Sequence, residues 1–251
     1  MSSIYDSADI YDLLDDEAHY EAYKKHWQEV IRDKNIKAML DVSIGSGTVT
    51  IPLFELGVSV TGSDLSERML DNCKKKMDAR GFTPDLKCTD FRDLSCFGER
   101  KFDMVASTGN SLAYVSNDDA CKTLKEMDKH VNSGGFIYID IRNWDKVVAD
   151  KQRFYLYNPF FVDGSRINFI QVWDHNPDGS VTFNLLYTFE KENKIYRKEQ
   201  FEEHYNPLSK SLILNTLSEM GYHDISVTGF PAHFPAEDPE KVEWFTIIAK
   251  K

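Results

Sequence analysis

From residue 38 to residue 141 the chain alternates short apolar runs with amphipathic segments, and this alternation restricts the fold more than any other feature. The apolar runs are 38–42, 58–62, 86–88, 104–106 and 136–141, and the segments between them include 48–56, 66–80 and 118–131. Strands that take turns with helices build βα units on a parallel sheet. Ser66 followed by Glu67 and Arg68 predicts a helix start, and Asn132-Ser133-Gly134-Gly135 predicts a helix stop followed by a turn. Upstream, 15–33 predicts a helix, because Tyr20, Tyr23, Trp27, Val30 and Ile31 recur at helical spacing on one face.

After Trp144 the pattern changes. Residues 154–203 are rich in aromatic and β-branched side chains, and Asn176-Pro177-Asp178-Gly179 has the chemistry of a hairpin turn. This predicts an antiparallel segment inserted over the sheet. A helix follows over 207–220 with Gly221 as its C-cap, then strands at 224–229 and 244–249. The expected organisation is an N-terminal lid helix region (1–35), a ligand-binding core (36–145), an antiparallel lid (146–206) and a C-terminal completion of the core sheet (207–251).

The formal net charge of -11 argues against nucleic acid as a partner, since phosphates need a basic footprint. No apolar run approaches the ~20 residues of a membrane span, and the start lacks the layout of a signal peptide. Cys73, Cys88, Cys96 and Cys121 show neither CxxC nor zinc spacing, so free thiols in a reducing compartment and a cytoplasmic location are expected, with no metal site.

The first apolar run leads into Leu40-Asp41-Val42-Ser43-Ile44-Gly45-Ser46-Gly47, a glycine-bearing turn. Glycine lets backbone approach a ligand closely, and a helix starting near Thr48 would aim free N–H groups at it. The second run ends at Asp64, with Leu65 beside it. An acid about 20 positions beyond the loop is placed to accept hydrogen bonds from ribose hydroxyls. A dinucleotide fingerprint would carry a third glycine where Thr50 stands, which weakens a nicotinamide oxidoreductase reading. Asp41 resembles the acid that opens the methyltransferase version of this loop, whose ligand is S-adenosylmethionine. In Thr89-Asp90-Phe91, Asp90 is placed for the adenine amino group and Phe91 for the ring.

Two further motifs are more specific. Gly109-Asn110-Ser111 ends one strand, and Asp140-Ile141-Arg142-Asn143-Trp144-Asp145 ends the next. Together they resemble the glycine N-methyltransferase family, including the microbial glycine/sarcosine N-methyltransferases of betaine synthesis, and the resemblance runs over nearly the whole chain. It implies an α/β class I methyltransferase (Rossmann-like) fold, with a mostly parallel seven-stranded sheet and an antiparallel lid. It implies S-adenosylmethionine as methyl donor, S-adenosylhomocysteine as product and a small amino acid as substrate. The family's carboxylate-binding arginine falls on Arg142 and its asparagine on Asn110; its site tyrosines fall on Tyr5, Tyr157, Tyr187 and Tyr205. Cofactor contacts fall on Asp41, Ser43, Gly45, Gly47, Asp64, Leu65, Asp90, Phe91 and Tyr23. The arginine that holds the methionine carboxylate in relatives has no counterpart; His19, Lys24 and Lys25 stand nearby. Without the long N-terminal arm that relatives exchange, a monomer or dimer is expected rather than a swapped tetramer. The implied reaction is direct displacement by a neutral amine, with activity rising towards alkaline pH. Other readings left open are an N-methyltransferase for another small amine such as an amino sugar, a dinucleotide oxidoreductase, and a cofactor sensor without turnover.

Overall fold

The computed structural model describes residues 3–231 and 241–251. The chain opens with a short helix α1 (Ala8–Tyr11) and then α2 (Glu17–Ile31), which starts where the Asp16 carboxylate caps the His19 N–H. The core follows as β1 (Ala38–Asp41), α3 (Pro52–Glu55), β2 (Ser59–Asp64), α4 (Glu67–Ala79), β3 (Asp85–Cys88), β4 (Phe102–Ser107), α5 (Asn117–Asp128) and β5 (Val131–Arg142). Ser66 caps α4 by accepting from Met69 N–H, as its sequence position predicts. After α6 (Trp144–Asp150) come the strands β6 (Phe154–Leu156), β7 (Phe160–Val162), β8 (Ser165–His175), β9 (Val181–Lys191) and β10 (Lys194–Tyr205). The chain ends with α7 (Lys210–Glu219), β11 (His223–Gly229) and β12 (Trp244–Lys250).

Seven strands form the central sheet in the order β11-β12-β5-β4-β1-β2-β3, and β12 alone runs against its neighbours. The antiparallel strands form a second sheet, β10-β9-β8-β6, with β7 also paired to β8. Its β8–β9 hairpin turns at the predicted residues, with Asn176 N–H donating to Ser180 O (2.9 Å). One face of the central sheet packs through Trp27, Val30, Leu53, Leu70 and Met77 of the helices α2, α3 and α4. The other packs through α5, α6, α7 and the inner face of the second sheet, including Trp144, Phe169, Trp173 and Phe183.

Two local expectations are corrected. The helix expected over 48–56 shrinks to the single turn α3. Thr50 and Ile51 both donate their N–H to Gly47 O (3.0 and 2.8 Å), so these donors close the turn and do not point into open space. The β-branched run 48–51 crowds a helical backbone, and Pro52 sits at the first position where its missing N–H costs nothing. The turn expected at 132–135 lies inside β5. Pairing with β4 jumps from Phe102↔Val131 to Met104↔Phe136, so the extra residues form a bulge. Gly135 permits it, because a Cβ there would come 2.9 Å from the Asp103 carbonyl oxygen.

Candidate active site

The strand order reverses between β1 and β4, and in open α/β sheets the carboxyl edge at such a point is where ligands bind. A cavity of about 1020 Å³ opens there. Its lining includes Ser43, Gly45, Asp64, Leu65, Asp90, Phe91 and Tyr5 of the predicted residues.

The glycine turn is held from below. Asp41 is fully buried and accepts from Ser43 N–H (3.1 Å), Thr50 Oγ1 (2.5 Å) and Thr108 Oγ1 (2.8 Å). Burial, partly offset by these bonds, pushes its carboxyl up to about 6. Thr50, standing where a dinucleotide loop has glycine, is thus a brace for Asp41. Close packing of the loop on the strand comes instead from Gly62, where a Cβ would lie 2.5 Å from Ile44 Cδ1. Gly47 adopts φ +81°, and a Cβ there would meet Cys73 Sγ and Ile51 Cδ1, each at 2.7 Å. The Ser43 hydroxyl donates to Thr108 O (3.1 Å) and accepts from Thr108 N–H (3.0 Å), which ties the tip of β1 to the tip of β4.

Asp64 lines the cavity and accepts Gly45 N–H on one oxygen (3.0 Å) and Ser66 N–H on the other (2.9 Å). Each oxygen keeps a lone pair for a vicinal diol. Leu65 is 70% exposed and, with Phe91, offers apolar surface to a flat ring. Asp90 is gripped by the Arg92 guanidinium (2.6 Å), which holds its carboxyl below the usual range. This donor set fits S-adenosylmethionine: carboxylates for ribose and adenine edge, apolar surface for the base, and close backbone at the loop. The cations lining the cavity are Arg68 and Arg92. His19 instead pairs with Asp16 and Lys24 with Glu55, while Lys25 is exposed. Lys76, which sequence reasoning passed over, has oxygens of Asp12 (2.8 Å), Asp15 (2.7 Å), Ser46 (3.1 Å) and Thr48 (3.0 Å) around its Nζ, strapping the N-terminal segment to the loop.

At the opposite end, the tips of β4 and β5 are clipped together. Asn110 takes a left-handed conformation (φ +66°), and its Oδ1 accepts from Arg142 N–H (3.2 Å) and Trp144 Nε1 (2.9 Å). Asp140 accepts from Gly109 N–H (2.8 Å), and Tyr138, itself bonded to His26 (2.7 Å), reaches its other oxygen at 3.3 Å. Burial, reinforced by nearby Asp41, raises the Asp140 carboxyl to about 8. The folded protein therefore holds this proton more tightly than the unfolded chain. The associated stability is complete below the ordinary carboxylate range and lost as pH climbs towards about 8. Asp140→Asn keeps an acceptor for Gly109, so the variant is expected to gain on the wild type by more than ~1.4 kcal/mol in going from acidic to alkaline pH. Denaturant titrations at the two ends of that range measure this; equal differences at both ends would refute it.

Arg142 is 7% exposed, and its guanidinium lies 5.0, 5.5 and 4.9 Å from the ring centres of Trp173, Phe183 and Trp244. Its Nε has no hydrogen-bond partner, and no carboxylate among the described residues comes within ion-pair distance of it. Burial lowers its pKa, against nearby Tyr157, Tyr205, Tyr155 and the Glu243 carboxylate. Neither Arg142 nor Asn110 lines the cavity; an aromatic layer adjoins it there. Tyr5 bonds Tyr114 (2.9 Å), and Tyr114 bonds Tyr205 (2.6 Å). Tyr157 and Tyr187 stack on Phe169 (centroids 4.5 and 4.2 Å), and Tyr23 stacks on Phe230 (5.8 Å). Sequence reasoning missed Tyr114 and Glu203, both of which line the cavity. Tyr114 lay four positions beyond Asn110, one helical turn away, and that spacing was the available signal. No three-residue group of metal-ligating side chains occurs among the described residues, nor any helix long and apolar enough to cross a membrane.

Residues 39–135 match the Methyltransf_25 family, described as a methyltransferase domain. The chain is 24% identical over 225 residues to a glycine/sarcosine N-methyltransferase of Aphanothece halophytica, covering 89% of this chain and 79% of that one. It is 25% identical over 245 residues to the glycine/sarcosine N-methyltransferase of Halorhodospira halochloris, covering 96% and 85%. Among solved structures, an S-adenosylmethionine-dependent methyltransferase from Clostridium acetobutylicum superposes with a TM-score of 0.76 at 21% identity, over 98% of this chain and 97% of that one. Streptomyces venezuelae DesVI gives 0.76 at 18% identity, over 96% and 97%. Residues 39–135 thus match a methyltransferase domain, and the chain has the fold of class I S-adenosylmethionine-dependent methyltransferases.

Proposed function

We propose that this chain methylates the amino group of glycine and sarcosine, giving sarcosine and dimethylglycine, as a step in glycine betaine synthesis. The observation that carries the reading is the buried Arg142 guanidinium, set among aromatic rings with no carboxylate of the described residues in direct ion-pair contact. A buried cation without a direct ion pair is costly, and a substrate carboxylate removes that cost. A guanidinium grips a carboxylate in a forked, charge-assisted pair that fixes orientation as well as affinity. The names of the relatives that match over most of the chain support the same substrate class.

Bound S-adenosylmethionine supplies an electrophilic methyl group on a sulfonium. The chain's own residues do the rest. Arg142 orients the amino acid, Asn110 and Asp140 fix the left-handed turn at the tip of β4, and the tyrosine layer excludes water. Alignment and dehydration replace a bimolecular encounter, so no covalent enzyme intermediate is needed. The protein is proposed to act in the cytoplasm on a free small molecule, as a monomer or dimer, without nucleic acid or membrane. An amino-sugar acceptor would leave Arg142 unpaired. A panel of glycine, sarcosine, dimethylglycine and an amino sugar, read by S-adenosylhomocysteine release, tests the reading. Turnover of glycine and sarcosine is expected; turnover of the amino sugar alone would overturn it.

A further inference from the structure

We propose that Glu203, on β10, is the proton acceptor for the substrate ammonium, reached through the hydroxyls of Tyr205 and Tyr114. The inference rests on the reading of Arg142 as the carboxylate anchor. Glu203 is 4% exposed yet lines the cavity. Its Oε1 accepts from Ser3 Oγ (2.7 Å) and Ile4 N–H (2.8 Å), and no cation pairs with it among the described residues. Tyr114 lines the same cavity as Glu203. From Tyr114 the hydroxyls continue to Tyr205 at 2.6 Å and to Tyr5 at 2.9 Å. The Tyr205 ring packs 4.7 Å from Phe183, the ring that lies under the Arg142 guanidinium. A run of exchangeable protons therefore leads from the neighbourhood of the carboxylate anchor to the cavity that the Glu203 carboxylate lines.

The chemistry needs such a path. An amino acid at neutral pH carries an ammonium, which has no lone pair. One N–H bond must break with its electron pair left on nitrogen. The proton passes to the Tyr205 oxygen as the Tyr205 proton moves to Tyr114 and the Tyr114 proton to Glu203. The lone pair then forms the N–C bond, while the C–S bond breaks with its pair on sulfur. The product is a methylated ammonium beside a neutral thioether, with Glu203 carrying the proton until it returns to solvent. Burial raises the Glu203 carboxyl, partly offset by Ser3 and Ile4, which makes it a better base than an exposed glutamate. Burial also holds the hydroxyls of Tyr5, Tyr114 and Tyr205 well above their ordinary value, so they serve as neutral relays. Other groups that face Glu203 are the Ser3 hydroxyl, the Ile4 N–H and His204. His204 itself lies on the outer face, paired with Glu202 (2.9 Å).

Glu203→Gln preserves an acceptor for Ser3 and Ile4 but cannot take a proton. With glycine and sarcosine as acceptors, its kcat/KM is expected to fall about 10²-fold at neutral pH. It should return towards the wild-type value at alkaline pH, where the amine loses its proton unaided. Tyr114→Phe, which cuts the path, should give the same profile. A second readout avoids turnover: calorimetry of sarcosine binding to the S-adenosylhomocysteine complex, in buffers of different ionisation enthalpy. The wild type should release no proton to buffer, and Glu203→Gln should release one. A Glu203→Gln profile parallel to wild type at every pH, or equal proton release from both proteins, would overturn the proposal. A wild type that neither binds nor methylates either acceptor would overturn the substrate reading, and this inference with it.

Discussion

Arg142→Leu is expected to lose glycine and sarcosine turnover by about 10²–10⁴-fold in kcat/KM while binding S-adenosylmethionine with unchanged affinity. Each charge-assisted hydrogen bond to a carboxylate contributes ~1.5–3 kcal/mol, and a forked pair makes two of them. The same substitution should leave the fold as stable as the wild type or more so. Its side chain lies among Trp173, Phe183 and Trp244, and no carboxylate among the described residues depends on it. Replacing a buried charge by an apolar side chain in such surroundings is often neutral or stabilising by ~1–4 kcal/mol. The backbone N–H that donates to Asn110 is retained, so the clip between β4 and β5 survives. Thermal unfolding, calorimetry with S-adenosylmethionine and the acceptor assay together separate a binding role from a structural one. A variant that unfolds easily and loses cofactor binding would make Arg142 a packing residue. Retained turnover of glycine would remove the substrate assignment altogether.

The elements of this site could be read from sequence to the extent that they sit at strand tips. A parallel α/β pattern places every strand's carboxyl end on one edge, so Asp41, Asp64, Asn110 and Arg142 could be assigned to that edge from order alone. What each side chain does once there depends on partners distant in sequence. Asp41 is enclosed by Thr50 and Thr108, and Asn110 by the indole of Trp144. Neither pairing leaves a periodic trace. Tyr187 sits in a recognisable aromatic strand, but only the register with Phe169 across β8 shows that it stacks inside the lid. Glu203 stands between the polar residues Glu202 and His204 on β10 and reads as one more polar residue. Its burial comes from the N-terminal segment folding back onto it, almost the whole chain length away. The helix expected at 48–56 fails for a local reason: Thr48, Val49, Thr50 and Ile51 are a β-branched run that a tight glycine turn tolerates better than a helix does.

The other large effect concerns cofactor binding. Asp64→Ala is expected to weaken S-adenosylmethionine and S-adenosylhomocysteine binding alike by about 10²-fold. Two hydrogen bonds from a ribose diol to a carboxylate, at ~1.5 kcal/mol each, amount to ~3 kcal/mol, or about two decades in Kd. The alanine also strips the acceptor from Gly45 N–H and Ser66 N–H, so part of the loss would come from a loosened loop and a loosened start to α4. Asp64→Asn distinguishes the two contributions. Its amide oxygen can still take one backbone N–H, but its amino group cannot accept from a hydroxyl or from the other N–H. It should fall between wild type and alanine, at about tenfold. Because both ligands present the same ribose diol to Asp64, both should lose affinity by a similar factor. A selective loss for the charged ligand would place Asp64 near the sulfonium instead, and an alanine variant within about twofold of wild type would remove it from the binding site.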